Sequence, residues 1–135
     1  MARPVPYPDT LTAPYWTQAQ AGKFALPRCE ACAQHHFYPR PACPHCGSDR
    51  IAWVEASGRG EVYSFSVVHR APGPAFAADV PYVVAIIETA EGPHLLSRVV
   101  GIAPDQVRIG LAVRVAFDRV SDELQLPVFT AESAE

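Results

Sequence analysis

The chain has 135 residues, 49% of them hydrophobic and 19% charged, which suits one compact unit or a small domain beside a smaller one. Its net charge of −3 gives no general electrostatic reason to bind nucleic acid. No apolar run approaches the roughly 18 residues that a membrane helix needs, and the opening MARPVPYPDT lacks the hydrophobic core of a signal sequence, so the expected compartment is the cytoplasm, with no membrane partner.

The charge is uneven. Residues 1–50 carry five Lys and Arg against three Asp and Glu, and residues 51–135 carry six against eleven. A mildly positive half therefore precedes an acidic one. Three segments are expected: an extended and helical stretch over 1–28, a metal-binding ribbon over 29–50, and a β domain over 51–135.

Residues 1–13 hold Pro4, Pro6 and Pro8, a composition that stays extended. Thr12, with Pro14 two residues on, reads as a helix start, and Gly22 as its stop. So short a helix is marginal and must lean on something else. Tyr15 and Trp16 are heavy aromatics for such a piece. They either pack it onto the ribbon or form part of a partner surface, where aromatics are enriched. Lys23 to Arg28 reads as the first ribbon strand, with His36 to Pro39 as its neighbour.

Between Cys29 and Cys46 the sequence runs CEACAQHHFYPRPACPHC and uses all four cysteines of the protein. Two Cys-x-x-Cys turns about ten residues apart can present four thiolates to one zinc ion in a tetrahedron. Gly47 follows the last cysteine, where a positive φ lets the turn close, whereas Ala33 stands in the matching place of the first turn. Two disulfides would call for a secretory context. A redox pair would call for a thioredoxin-like βαβ framework, which is missing. A four-thiolate sphere leaves no open position for a substrate water, so the zinc is expected to be structural. His35, His36 and His45 read as loop residues. Arg28, Arg40 and Arg50 flank the ribbon and are solvated or available to pair phosphates, those of CoA among them.

From Trp53 onward the pattern is strand and turn. Glu61 to His69, Tyr82 to Glu88, His94 to Val100, Ala112 to Val120 and Leu124 to Phe129 read as five strands. Pro127 interrupts the last, which is therefore expected at a sheet edge. Arg70 to Pro81, with three prolines and a glycine, reads as a long mobile loop, and the tail from Thr130 is expected to fray. Five strands in about eighty residues fit a small Greek-key barrel, the OB-fold first and an SH3-like barrel as competitor.

Taken together, Pro14–Tyr15–Trp16, CPHCGS at Cys43, WVEASGRGEVYSFSVVHRAPGPAF from Trp53, VPYVVAIIE at Val80 and VRIGLAVRVAF at Val107 resemble one family. It is the zinc-ribbon OB-fold family long catalogued as a domain of unknown function and associated with acyl-CoA enzymes. The resemblance covers residues 14–129. It implies a mainly β fold: a short N-terminal helix, a rubredoxin-like zinc ribbon, then a five-stranded OB-fold barrel. It also implies Cys29, Cys32, Cys43 and Cys46 as zinc ligands. The implied role is that of an accessory or scaffold subunit for a thiolase-like enzyme or a hotdog-fold enoyl-CoA hydratase, with contact to CoA or acyl-CoA as a further expectation.

The residues themselves offer no catalytic set. The cysteines are committed to the metal, Ser66 and His69 fall on opposite faces of a strand, and no glycine-rich phosphate loop precedes a helix. Glu88 and His94 can meet across a hairpin, most simply as a surface pair. The chain is therefore expected not to be an enzyme by itself, with docking sought at Tyr15, Trp16 and the Arg70–Pro81 loop. The alternative is a single-stranded nucleic-acid module, with Tyr63, Phe65 and Tyr82 stacking bases. The acidic second half weighs against it.

Overall fold

The computed structural model describes residues 9–121 and 124–131. The proline run at 1–8 and the end of the tail lie outside the described residues.

Helix α1 spans Ala13–Gln20, with Thr12 as N-cap and Pro14 in the first turn, where its missing N–H costs nothing. Thr12 does not cap through its hydroxyl. Instead it locks to Asp9: the Thr12 N–H and hydroxyl donate to Asp9 Oδ1 at 2.8 and 3.0 Å, and the Asp9 N–H donates to Thr12 Oγ1 at 3.1 Å. After Ala21 the chain turns at Gly22, whose φ of +80° admits the Lys23 N–H to the Gln18 carbonyl at 2.8 Å.

β1 (Ala25–Cys29) pairs antiparallel with β2 (Ile51–Glu55), from Ala25 opposite Glu55 to Cys29 opposite Ile51. The expected neighbour at His36–Pro39 is corrected here. That stretch makes no ladder, and the local contact is one bridge between Arg28 and His35. Between the cysteine turns the chain bonds to β1 at that one bridge, where the His36 N–H donates to the Pro27 carbonyl at 3.1 Å, and it pairs with β1 as a strand only after both turns are complete.

Five further strands close a barrel in the order β3–β4–β5–β7–β6, with β6 returning to β3. They are β3 (Arg59–Val68), β4 (Tyr82–Thr89), β5 (His94–Val100), β6 (Ala112–Arg119) and β7 (Gln125–Ala131). This is the expected OB-type barrel. A bulge between Val62 and Ser64 places Tyr63 and Ser64 both outward, so the alternation read across β3 is broken there.

β7 is not an edge strand. It pairs with β6 along its whole length and in parallel with β5 at Val99–Phe129 and Val100–Thr130. Pro127 is tolerated because the β5 ladder begins only at Phe129, while its carbonyl accepts the Ser97 hydroxyl at 3.0 Å. Thr130 and Ala131, expected to fray, belong to this strand. The Arg70–Pro81 loop holds a 3₁₀ turn at Pro74–Phe76 and is tied back by Asp79, 3.9 Å from Arg98, and by Phe76 against Tyr82.

The barrel interior gathers Val62, Val83, Ile87, Leu95, Val113 and Phe129. Phe24 and Leu26, which flank the start of β1, belong to the same cluster, and Phe24 meets Phe129 edge-on with centroids 5.8 Å apart. Apolar burial thus joins the ribbon to the barrel. Among the described residues no helix is long and apolar enough to cross a membrane.

Candidate metal centre and docking face

The two cysteine turns are built alike. In the first, the Ala33 N–H donates to the Cys29 carbonyl at 2.8 Å and the Cys29 N–H to the Gln34 carbonyl at 2.9 Å. In the second, the Gly47 N–H donates to the Cys43 carbonyl at 2.8 Å and the Cys43 N–H to the Ser48 carbonyl at 2.7 Å. Both turns need a left-handed residue after the second cysteine: Gly47 has φ +82° and Ala33 φ +66°. Glycine adopts that conformation freely, whereas alanine is strained in it.

This geometry brings the sulfurs of Cys29, Cys32, Cys43 and Cys46 within 4.8 Å of one another, all as free thiols. Cys29 lies 3.6 Å from Cys46, and Cys32 lies 3.7 Å from Cys43. A zinc ion with Zn–S bonds of about 2.3 Å demands tetrahedral edges of about 3.8 Å, so the donor set fits it in chemistry and in size. The backbone N–H of Cys32 is the main influence lowering Cys29, to about 6. At Cys46 the Ser48 N–H acts downward, but the Cys29 thiol and burial outweigh it and push the group up to about 12. Four neighbouring thiols do not ionise together unaided, and a divalent cation removes that barrier. Four protein ligands would close the sphere, leaving a metal that supports the fold.

A second feature lies between α1, the Phe37–Pro39 stretch, β5 and β7. It is a largely apolar groove of about 390 Å³ lined by Tyr15, Trp16, Tyr38, Leu96, Pro127 and Val128, among others. Tyr38 and Leu96 are 57% and 70% exposed at its rim. Tyr15 is the hub of the aromatic packing beneath, with ring centroids 5.2 Å from Trp16, 5.5 Å from Phe37 and 6.3 Å from Trp53. Burial pushes its phenol well above the usual tyrosine range.

Of the arginines singled out in the sequence, Arg40 lines a cavity between the cysteine loops and the β4–β5 turn, whose walls include neither Arg28 nor Arg50. Arg28 is half-buried in β1 and Arg50 is exposed after the second cysteine turn. Glu88 and His94 do meet across the hairpin, at 3.4 Å and with side chains 51% and 40% exposed, as a surface pair. Tyr63 is exposed and stacks on His94 at 4.4 Å, Phe65 packs against the core, and Tyr82 lies under the Arg98 guanidinium at 4.6 Å.

The chain matches the zinc ribbon domain described as "ChsH2, rubredoxin-like zinc ribbon domain" over residues 16–52 and "ChsH2, C-terminal OB-fold domain" over residues 53–118. It is 38% identical over 97 residues to a "DUF35 domain-containing scaffold protein" of Methanocaldococcus jannaschii, covering 71% of this chain and 68% of that one. The chain belongs to the DUF35 family.

It is also 43% identical to a "Probable enoyl-CoA hydratase alpha subunit" of Thermomonospora curvata, over 94% of this chain but 39% of that protein. The chain thus spans about two fifths of that longer relative. Among solved structures, a chain of the "Ltp2-ChsH2(DUF35) aldolase" superposes with a TM-score of 0.85 at 42% identity, covering 94% of this chain and 98% of that one. A DUF35 protein of Sulfolobus solfataricus, at 17% identity and a TM-score of 0.63, shares the fold. The ribbon, its zinc-fitting cysteines and the OB barrel read from the sequence are those of this family.

Proposed function

We propose that this chain is an accessory subunit that assembles with an acyl-CoA-processing enzyme, either thiolase-like or a hotdog-fold enoyl-CoA hydratase, and does no chemistry of its own. The reading is carried by the likeness to the DUF35 chain of the Ltp2-ChsH2(DUF35) aldolase, which extends over nearly the whole of both chains. The relatives named as scaffold proteins and as hydratase alpha subunits support the same role. So does a metal site whose four ligands leave no open position for a substrate.

The groove beside α1 is the docking face in this proposal. Aromatic and aliphatic side chains around a half-open apolar cleft are what a partner's buried anchor requires. Co-expression with the thiolase-like and hydratase-like chains encoded near it tests the proposal. One of them co-elutes with this protein, and Trp16→Ala weakens the complex by roughly tenfold or more while zinc content stays unchanged. Failure of every such pair to associate overturns the accessory role. Undiminished association of Trp16→Ala moves the interface elsewhere.

A further inference from the structure

The two edges of the ribbon sheet differ. The outer edge of β1 is closed by the cysteine loop: the Pro27 carbonyl accepts the His36 N–H at 3.1 Å, and the Cys29 N–H donates to the Gln34 carbonyl at 2.9 Å. β2 has β1 as its one strand neighbour among the described residues, so its other edge is open.

The register decides which backbone groups that edge carries. Antiparallel pairs alternate between residues that exchange hydrogen bonds and residues whose groups point away from each other. The Ala56 N–H donates to the Phe24 carbonyl at 2.7 Å and the Glu30 N–H to the Arg50 carbonyl at 2.8 Å, so the bonded pairs between them are Leu26 with Val54 and Arg28 with Ala52. Ile51, Trp53 and Glu55 therefore turn their N–H and C=O groups outward. The Ile51 N–H is taken by the Asp49 carbonyl at 3.0 Å. The Ile51 carbonyl and the N–H and C=O of Trp53 and Glu55 have no protein partner among the described residues.

Such an edge is a template for another strand, and proteins blunt it with proline, lysine, a bulge or a cover. β2 reads IAWVE, with an unbroken register, and has none of the first three. Nor is it covered, since Val54 is 37% exposed and Glu55 is exposed.

We infer that β2 pairs antiparallel with β2 of a second copy of this chain, about a two-fold axis at Trp53, so that the two ribbon sheets become one. The open groups are self-complementary in that register. Trp53 exchanges both bonds with its counterpart, and the Ile51 carbonyl accepts the Glu55 N–H of the other copy. Charge and hydrogen bonding select this register over its neighbours. Here Glu55 lies opposite Ile51 and Arg50 opposite Ala56, so no like charges meet. A slip of two residues one way sets Asp49 opposite Glu55. The same slip the other way offers the Ile51 carbonyl the Ser57 N–H, which is already spent on Glu91 Oε2 at 2.8 Å. The exposed Val54 side chain comes to lie beside Ala52 of the other copy. The inference does not rest on the docking reading, since β2 contributes nothing to the groove beside α1.

Sedimentation velocity and amide hydrogen exchange of the zinc-loaded full chain test it. A strand pair this short buries less than a standard interface, so the expected dimer is weak, with a Kd on the order of 100 μM. Between about 50 μM and 1 mM the amides of Trp53 and Glu55 are expected to gain protection, while those of Ala52 and Val54, bonded to β1, do not change. Glu55→Pro removes an outward N–H and spares the bonds to β1, and it weakens the dimer by roughly tenfold or more. Val54→Lys, which leaves the backbone intact, also weakens it. A monomer at about 1 mM overturns the inference, as does undiminished dimerisation of both variants. A dimer in which Trp53 and Glu55 exchange no more slowly also overturns it. Protection of these two amides that appears only with a co-expressed enzyme chain overturns the second copy as the occupant.

Discussion

The Gln125 side-chain amide, at the first residue of β7, donates across 2.8 Å to the Ala19 carbonyl in the last turn of α1. A helix of eight residues does not persist alone, and this bond, with the packing of Tyr15, holds it to the barrel. Gln125→Ala removes this tie between helix and barrel, leaving the carbonyl only the Gly22 N–H at 3.0 Å, and is expected to cost about 1 kcal/mol. Urea unfolding gives the loss, and hydrogen exchange places it: amides of Tyr15–Gln20 lose protection while those of β4 keep theirs.

Ala33 occupies the left-handed position that Gly47 holds in the other cysteine turn. Ala33→Gly removes a steric cost of about 1 to 2 kcal/mol and adds backbone entropy to the unfolded chain, for a net gain of about 0.5 kcal/mol. The variant should melt slightly higher at equal zinc content. Gly47→Ala should melt lower, for the reverse reason.

Zinc removal should separate the two halves of the molecule. Stripping the reduced protein with a strong chelator is expected to abolish amide protection in β1 and β2 and to spare β4 and β6, because the knuckle has no core of its own. Since thiols must lose protons to ligate, zinc affinity measured by chelator competition should fall as pH is lowered. Full β1–β2 protection in the metal-free protein would contradict this account.

Tyr15 links burial to pH. Its buried phenol holds its proton to a higher pH than the same group in the unfolded chain, which ionises near 10. Above that pH the unfolded state binds fewer protons than the native one, so the stability Tyr15 contributes is complete below pH 10 and declines as pH rises toward the folded value. Tyr15→Phe should show a shallower decline between pH 9.5 and pH 11 in paired urea titrations, about 1 kcal/mol less per pH unit at the steepest.

Gly60 lies where β3 meets both β4 and β6, and a Cβ there would sit 2.6 Å from the Glu88 carbonyl oxygen. Because the clash is with backbone, Gly60→Ala must spread the strands and is expected to cost about 1 to 3 kcal/mol. Thermal unfolding measures it. Gly73→Ala, where a Cβ meets nothing within 4 Å, is the control.

The features legible in the sequence were those with local causes. Cysteine spacing marks the metal turns, Pro14 and Gly22 bracket the helix, and alternation finds the barrel strands nearly to the residue. What escaped depends on distant chain. Pro127 suggests an edge only if a strand must pair fully on both sides, and β5 meets β7 at just two register positions. His36 to Pro39 looks like the partner of β1 because it is near, whereas Ile51–Glu55 wins after both cysteine turns are complete. Nothing in the letters HHFY distinguishes an exposed loop histidine from a buried one, so the burial of His36 gave no signal. The Gln125–Ala19 bond joins residues 106 positions apart and was equally silent.

Because Cys29 and Ile51 are register partners, the polypeptide leaves the two-stranded sheet and rejoins it at one place. With Phe24 and Leu26 anchored among the barrel residues and Phe37 packed on Tyr15, the two cysteine turns on either side of Phe37–Pro39 are the part that behaves as a cassette. A differently sized metal-gripping insert could be transplanted there without altering the route of the remaining chain, which leaves this segment open to divergence while the barrel stays the same.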